Sequence, residues 1–180
     1  MQKRKANTFL KECMADALIA LMAETPIHKI TVDRITLHAG VGRATWFRNF
    51  RDKADALSFK LGCLWDRWVD EHGLTKDRRL YTPEIAGEFF AFNYATRDLY
   101  TLIYREQQQS AIYDAFYAII MSQSKEGTDA AYRGQFYAYG LFGMLNEWIR
   151  RDFSESPEYI TALFFESIRM PMGIEAADES

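Results

Sequence analysis

The sequence predicts an all-α protein, with an N-terminal helix-turn-helix of three helices followed by a C-terminal helical bundle. Apolar residues recur at spacings of three and four along most of the chain, which is typical of amphipathic helices. Alternating strand patterns and the Asn-Gly or Asp-Gly dipeptides of hairpin turns do not occur. Only four prolines and ten glycines are present among 180 residues, so few positions interrupt a helix.

The composition argues against several classes of protein. The two cysteines form no CxxC pair and the three histidines lack metal-ligand spacing, so we expect no disulfide and no metal site. The motifs GxGxxG, GxxxxGK[ST] and HExxH are missing, so we expect no cofactor and no enzyme. No apolar run approaches the roughly 18 residues that span a membrane, and we expect a cytoplasmic protein.

The N-terminal helix signals predict two short helices joined by a tight turn. A first helix, residues 4–24, ends at Thr25-Pro26, because proline disfavours helix in the residue before it. Thr31 has the side chain of an N-cap, and Gly40 can adopt the left-handed conformation that ends the helix after it. Residues 43–49 read as the second short helix, which completes a helix-turn-helix.

The remaining helices follow from capping residues and apolar spacing. Asp52 caps a long helix that ends near residue 73 and joins the two predicted domains, residues 1–53 and 54–175. Proline after a capping residue marks two later helix starts. The further predicted helices are 83–96, 97–105, 107–123, 128–150 and 156–170.

The charge is unevenly distributed along the chain. Residues 1–53 hold ten Lys/Arg and five Asp/Glu, a net charge of +5, whereas the other 127 residues hold twelve and twenty, a net charge of −8. A basic head on an acidic body predicts that the head alone binds a polyanion.

Residues 31–53 read TVDRITLHAGVGRATWFRNFRDK, and this stretch resembles the DNA-binding domain of TetR-family transcriptional regulators. The similarity covers about residues 8–60. The positions that carry it are Thr31, Ile35, Ala39, Gly40, Val41, Thr45, Phe50 and Lys53. Three positions depart from the family pattern: Phe47 replaces the usual tyrosine, Asn49 the usual histidine, and Thr36 a common alanine.

The first residues of a recognition helix reach base edges in the major groove. Arg43 opens that helix and can donate two hydrogen bonds to guanine O6 and N7; the alternative is a solvated or phosphate-only role. Trp46, whose indole could replace the missing tyrosine hydroxyl, and Phe47 are as compatible with the core as with the interface. Ile35, Leu37, Val41 and Phe50 are predicted to be core. The predicted DNA contacts are Thr31, at a helix N-terminus suited to phosphate, Arg43, Ala44, Thr45, Trp46, Phe47, Asn49 and Lys53.

The acidic body is rich in aromatic residues, most of which plain core packing explains. A buried tyrosine needs a hydrogen-bond partner, so tyrosines facing the centre of a bundle would suit a pocket for a small amphipathic molecule. The candidate ligand residues are Tyr94, Tyr104, Tyr113, Phe116 and Tyr139.

The family resemblance further implies dimerisation through the last two long helices. The residues expected at that interface are Tyr137, Gly140, Gly143, Met144, Trp148, Leu163, Phe164 and Ile168. The run FYAYGLFGMLNEWIRRDFSESPEYI is also similar to TetR proteins that activate dihydroxyacetone kinase genes.

These observations predict a homodimeric transcriptional repressor that a small ligand releases from a palindromic operator. Two alternatives stay open: a helical protein-interaction or co-activator module without a small ligand, and an enzyme. A filled core without a pocket would favour the protein-interaction module.

Overall fold

The computed structural model describes residues 2–73, 83–123 and 127–169, and every regular element in these ranges is helical. The all-α prediction is confirmed. A short 3-10 helix, Ile27–Lys29, lies between the first two α-helices. The α-helices are α1 (Gln2–Glu24), α2 (Val32–His38), α3 (Arg43–Asn49), α4 (Lys53–Glu71), α5 (Pro83–Ala95), α6 (Arg97–Arg105), α7 (Gln109–Gln123), α8 (Thr128–Arg150) and α9 (Pro157–Arg169).

The predicted turn between α2 and α3 is confirmed. Gly40 has a φ of +66°, a conformation that glycine adopts without the steric cost of a side chain. The N–H of Val41 donates to the carbonyl of Thr36 over 2.9 Å, which closes the end of α2 as in a Schellman motif. Helix α3 can therefore begin at Arg43, at an angle to α2.

Helix α4 connects the head, α1–α3, to the bundle, α5–α9. It begins where the carboxylate of Asp52 accepts a 2.8 Å hydrogen bond from the N–H of Asp55, as the sequence predicts. Its sides pack against α1 and against α7. Leu57 and Leu61 are buried near its start, and Trp65 and Trp68 are buried further along.

Aromatic rings fill the centre of the bundle. The rings of Trp65 and Phe116 lie 4.0 Å apart, and Phe89 contacts both of them. Helices α7 and α8 pack together, as do α5 and α9. No helix in the described part of the chain is both long and apolar enough to cross a membrane.

A buried chain of hydrogen bonds links α4, α5 and α6. The indole N–H of Trp65 donates to the hydroxyl of Tyr100 over 3.2 Å, and that hydroxyl donates to Oδ1 of Asn93 over 2.5 Å. The amide nitrogen of Asn93 donates to the carbonyl of Phe89. Burial raises the pKa of the Tyr100 hydroxyl, which stays protonated and able to donate.

Candidate nucleic-acid interface

Helix α3 has one buried side and one exposed side. Trp46 is 1% exposed, and Phe50, just after the helix, is also buried; their rings lie 5.1 Å apart. Arg43 and Ala44 are exposed, and Phe47 exposes 59% of its surface. A short helix whose outer side is exposed while its inner side is fixed to the core has the form that major-groove reading requires.

The guanidinium of Arg43 has two neighbours within the head. Its Nε lies 3.3 Å from Oδ1 of Asp33 on α2, and both side chains are about two-thirds exposed. The centre of the guanidinium lies 5.5 Å from the ring centroid of Phe47, one helical turn further on. The structure therefore brings Arg43 and Phe47, two predicted site residues, together with Asp33, which the sequence analysis did not single out.

The other polar candidates make local hydrogen bonds. The hydroxyl of Thr31 accepts from the N–H of Arg34 over 3.3 Å, which is the predicted N-cap. The amide nitrogen of Asn49 donates to the carbonyl of Thr45 over 2.7 Å. The hydroxyl of Thr45 accepts from Arg48. Thr31 is exposed, and the other two predicted contacts are half-buried.

Two predictions about side-chain burial are wrong. The DNA contact predicted for Trp46 is incorrect, because its indole lies in the core of the head against Phe50. Leu37 was predicted to be core but is 83% exposed, one turn after Asp33 on the outer side of α2.

Thr36 stands where the family that the sequence resembles commonly has alanine, and it leaves no polar atom unpaired. Its side chain is buried, and its hydroxyl donates to the carbonyl of Val32 over 3.0 Å. Because the hydroxyl donates to a carbonyl of its own helix, its burial does not carry the cost of an unpaired polar group.

Lys53 makes hydrogen bonds to the backbone of the connection between α1 and α2. Its ammonium donates to the carbonyl of Ile27, and over 2.9 Å to the carbonyl of Ile30. Burial lowers the pKa of this lysine. Its contact with DNA stays a prediction. The third N–H of the ammonium would have to make that contact, because the other two donate to the carbonyls.

Residues at the end of α6, in the bundle, also make hydrogen bonds to the connection between α1 and α2 and to the end of α1. Oε2 of Glu106 accepts a 2.7 Å hydrogen bond from the N–H of Ile27, and Arg105 donates to the carbonyl of Met22. The Ile27 N–H is the main cause that lowers the pKa of Glu106. An open cleft of about 700 Å³ lies beside these contacts. No local sequence signal indicates these contacts, because partners such as Ile27 and Glu106 are 79 residues apart.

The bundle contains an apolar cavity of only about 20 Å³. Phe116 lines it, whereas the four predicted tyrosines lie elsewhere. A volume of this size holds about one water molecule, far below the roughly 300–1,000 Å³ of a ligand pocket. The lining residues are Trp65, Trp68, Val69, Ala86, Phe89, Phe90, Phe116, Ile119, Leu141 and Phe164.

The tyrosines predicted to bind a ligand are not assembled into one pocket. Tyr94 stacks on Trp148, and the hydroxyl of Tyr104 donates to the side chain of Asn146. Tyr113 donates to Oε1 of Gln135 over 2.7 Å, and its ring lies 4.5 Å from that of Tyr139. Burial raises the pKa of Tyr104 and of Tyr113 to about 12. The hydroxyls of Tyr104 and Tyr113 are thus partnered within the chain.

Helix α8 exposes aromatic side chains along one side. Tyr132, Phe136 and Tyr139 are all exposed and are spaced by four and three residues. Only Tyr139 of these three is a predicted site residue, as a ligand candidate, and none of them is a predicted interface residue. A large exposed apolar patch typically marks an interaction surface.

The predicted dimer residues divide between this surface and the core. Gly140, Gly143 and Leu163 are exposed, and Met144 is half-buried. Trp148 and Phe164 are buried within the single chain, so their prediction as interface anchors is incorrect: they already pack against Phe90. The side chains of Tyr137 and Ile168 lie outside the described residues.

The comparisons with known proteins concern the bundle. A family model described as a transcriptional regulator C-terminal region matches residues 82–170, which include α5–α9. A search of curated proteins finds no match. Among the residues that the structure describes, no group of three or more His, Cys, Asp or Glu side chains could hold a metal ion.

Proposed function

Since this chain belongs to the TetR family of transcriptional regulators, we propose that it binds duplex DNA in a sequence-specific manner through the outer side of α3. The observation that carries the proposal is that α3 has an exposed outer side and a buried inner side. Arg43, Ala44 and Phe47 face outward while Trp46 anchors the inner side. Arg43 donates to guanine, and the methyl group of Ala44 is small enough to lie against a thymine methyl.

The charge distribution supports the same partner. The head carries +5 and the rest of the chain −8, so only the head attracts phosphates. Thr31, Thr45, Asn49 and Lys53 are the proposed contacts to the DNA backbone or groove. Because phosphate contacts release counterions, affinity should fall steeply as salt rises.

The protein acts as a homodimer that reads a palindrome. One seven-residue helix contacts too few base pairs, whereas two copies related by a twofold axis read half-sites about 34–36 Å apart, or multiples of that spacing. The exposed side of α8, with Tyr132, Tyr139, Gly140 and Gly143, and Leu163 of α9 form the proposed self-association surface. Exposed aromatic side chains of this kind are enriched at interfaces between protein subunits.

Selection of bound genomic DNA fragments tests this function. The full chain should enrich a palindromic motif, and Arg43→Ala should lose preference at one base pair of each half-site. Arg51→Ala, an exposed arginine outside α3, is the matched control and should weaken binding without changing the motif. Recovery of no motif by the wild-type protein contradicts the proposal.

We propose further that the protein is a cytoplasmic repressor released from its operator by an effector. A small apolar ligand could occupy the centre of the bundle only in a state in which the bundle has opened, because the cavity at Phe116 holds about one water molecule. The same observation favours a second candidate, in which the bundle binds a partner protein.

Tryptophan fluorescence distinguishes the two effectors. Trp65 and Trp68 line the cavity, so a small apolar molecule that enters it should quench their emission and release the operator in the same concentration range. Release by a protein, without quenching by any compound of a small-molecule library, would support the partner-binding alternative.

A further inference from the structure

We propose that Asp33 and Phe47 orient Arg43 and thereby set the base pair that the protein prefers. This inference rests on the DNA-binding function proposed above. It assigns a positioning role to Asp33, a residue of α2, and to the phenylalanine that stands where the family usually has tyrosine.

The contact between Asp33 and Arg43 occupies the inner nitrogen of the guanidinium. Oδ1 of Asp33 lies 3.3 Å from Nε of Arg43. A bidentate contact to guanine O6 and N7 can use the two terminal amino groups, and the ion pair does not occupy them. The ion pair is therefore compatible with reading a guanine, and it fixes the direction in which the terminal amino groups point.

Phe47 supports the guanidinium from α3 itself. Arg43 and Phe47 are spaced i and i+4, on the same side of the helix, and the guanidinium carbon lies 5.5 Å from the ring centroid. A guanidinium near an aromatic ring is attracted by the ring's quadrupole. The side chain of Arg43 thus has a partner on each of the two helices of the motif.

Folding stability does not explain this arrangement. Asp33 and Arg43 are 67% and 64% exposed, and ion pairs as exposed as this contribute little to stability. The carboxylate of Asp33 also repels the phosphates that the basic head attracts. Asp33 stabilises the first turn of α2 through the helix dipole, but that role does not require its ion pair with Arg43. The benefit of the ion pair is that it places Arg43 before binding, which reduces the cost of ordering that side chain.

The experiment compares three duplexes by fluorescence anisotropy at one salt concentration, with the full chain. The first carries the selected motif, the second replaces the base pair that depends on Arg43, and the third has an unrelated sequence. Asp33→Asn should lower the ratio of affinities for the first two by about three- to tenfold. It should raise affinity for the unrelated duplex, because one negative charge is removed.

Two further variants separate orientation from other effects. Phe47→Leu should lower the same ratio, whereas Leu37→Ala, which removes another exposed apolar side chain from the head, should leave it unchanged. Glu24→Gln is the charge control: it removes an exposed carboxylate of the head and should leave the ratio unchanged. In the Arg43→Ala background, Asp33→Asn should lower the ratio no further.

The outcomes distinguish this inference from the function on which it rests. An unchanged ratio for Asp33→Asn, with a wild-type preference that depends on Arg43, overturns the inference and leaves the DNA-binding function intact. A wild-type protein without any preference that depends on Arg43 overturns both. In free protein, the Nε–Hε resonance of Arg43 should shift on Asp33→Asn, and identical resonances would overturn the orientation that we infer.

Discussion

The backbone N–H of Ile27 donates a 2.7 Å hydrogen bond to Oε2 of Glu106, which lies 79 residues further along the chain. Ile27 belongs to the connection that precedes α2, and Glu106 follows the last residue of α6. Lys53, at the start of α4, binds the carbonyl of the same Ile27. A shift of α6 must therefore move this connection or break the hydrogen bond.

We expect Glu106→Gln to lower the free energy of unfolding by about 1 kcal/mol at pH 7, because a charged acceptor becomes neutral. The pKa of Glu106 is lowered in the folded protein, chiefly by the Ile27 N–H. Its contribution is therefore present above the unfolded-state pKa of about 4.3 and is lost as pH falls through the folded-state pKa. Urea unfolding of both proteins between pH 7 and pH 3 should show the difference shrinking on acidification. A difference that is constant with pH would contradict the assignment.

Substitution of Trp46 should affect folding rather than recognition. Trp46→Ala should lower the free energy of unfolding by about 3–5 kcal/mol, because it empties a buried site beside Phe50. Phe47→Ala, at the exposed neighbouring position, should change it by less than about 0.5 kcal/mol. Trp46→Phe should keep the base preference, and loss of that preference with unchanged stability would return Trp46 to the DNA interface.

A bulky residue at Gly140 should prevent self-association. A side chain added there meets no atom of the same chain within 4 Å, and replacing a helical glycine favours the helix by about 1 kcal/mol. Gly140→Arg should therefore sediment as a folded monomer. Gly62→Arg is the control, since Gly62 of α4 has the same open space, and this variant should remain dimeric. A dimeric Gly140→Arg protein would exclude this side of α8 from the interface.

Removing the hydroxyl of Tyr100 should destabilise the bundle without disturbing its shape. Tyr100→Phe leaves the indole N–H of Trp65 and Oδ1 of Asn93 without the hydroxyl that joins them. We expect a loss of about 1–3 kcal/mol in thermal unfolding. A stability equal to that of the wild type would mean that water or a shifted side chain replaces the hydroxyl.

Local signals explain which parts of the fold were predictable from the sequence. The bounds of α3, the cap at Asp52 and the turn at Gly40 depend on neighbouring residues, and these predictions are confirmed. The burial of Trp46 and the exposure of Leu37 depend on how short helices are rotated against α1. A seven-residue helix contains too few apolar positions to fix that rotation.

Long-range contacts explain the rest of what the sequence did not reveal. Asp33 meets Arg43 only because the turn brings α2 and α3 together. Tyr104 of α6 and Tyr113 of α7 donate to Asn146 and Gln135, which are 11 residues apart on α8, so their shared residue type did not indicate one shared pocket.

Helix α4 extends over 19 residues, or about 28 Å, and its buried side chains belong to one apolar cluster that continues from Met14 to Phe164. The head therefore has no apolar nucleus separate from that of the bundle. Unfolding of α1 would expose Leu57 on α4 to solvent and would destabilise the helix that carries Trp65. The head and the bundle should consequently unfold together in one calorimetric transition. A truncated protein that lacks the head should aggregate.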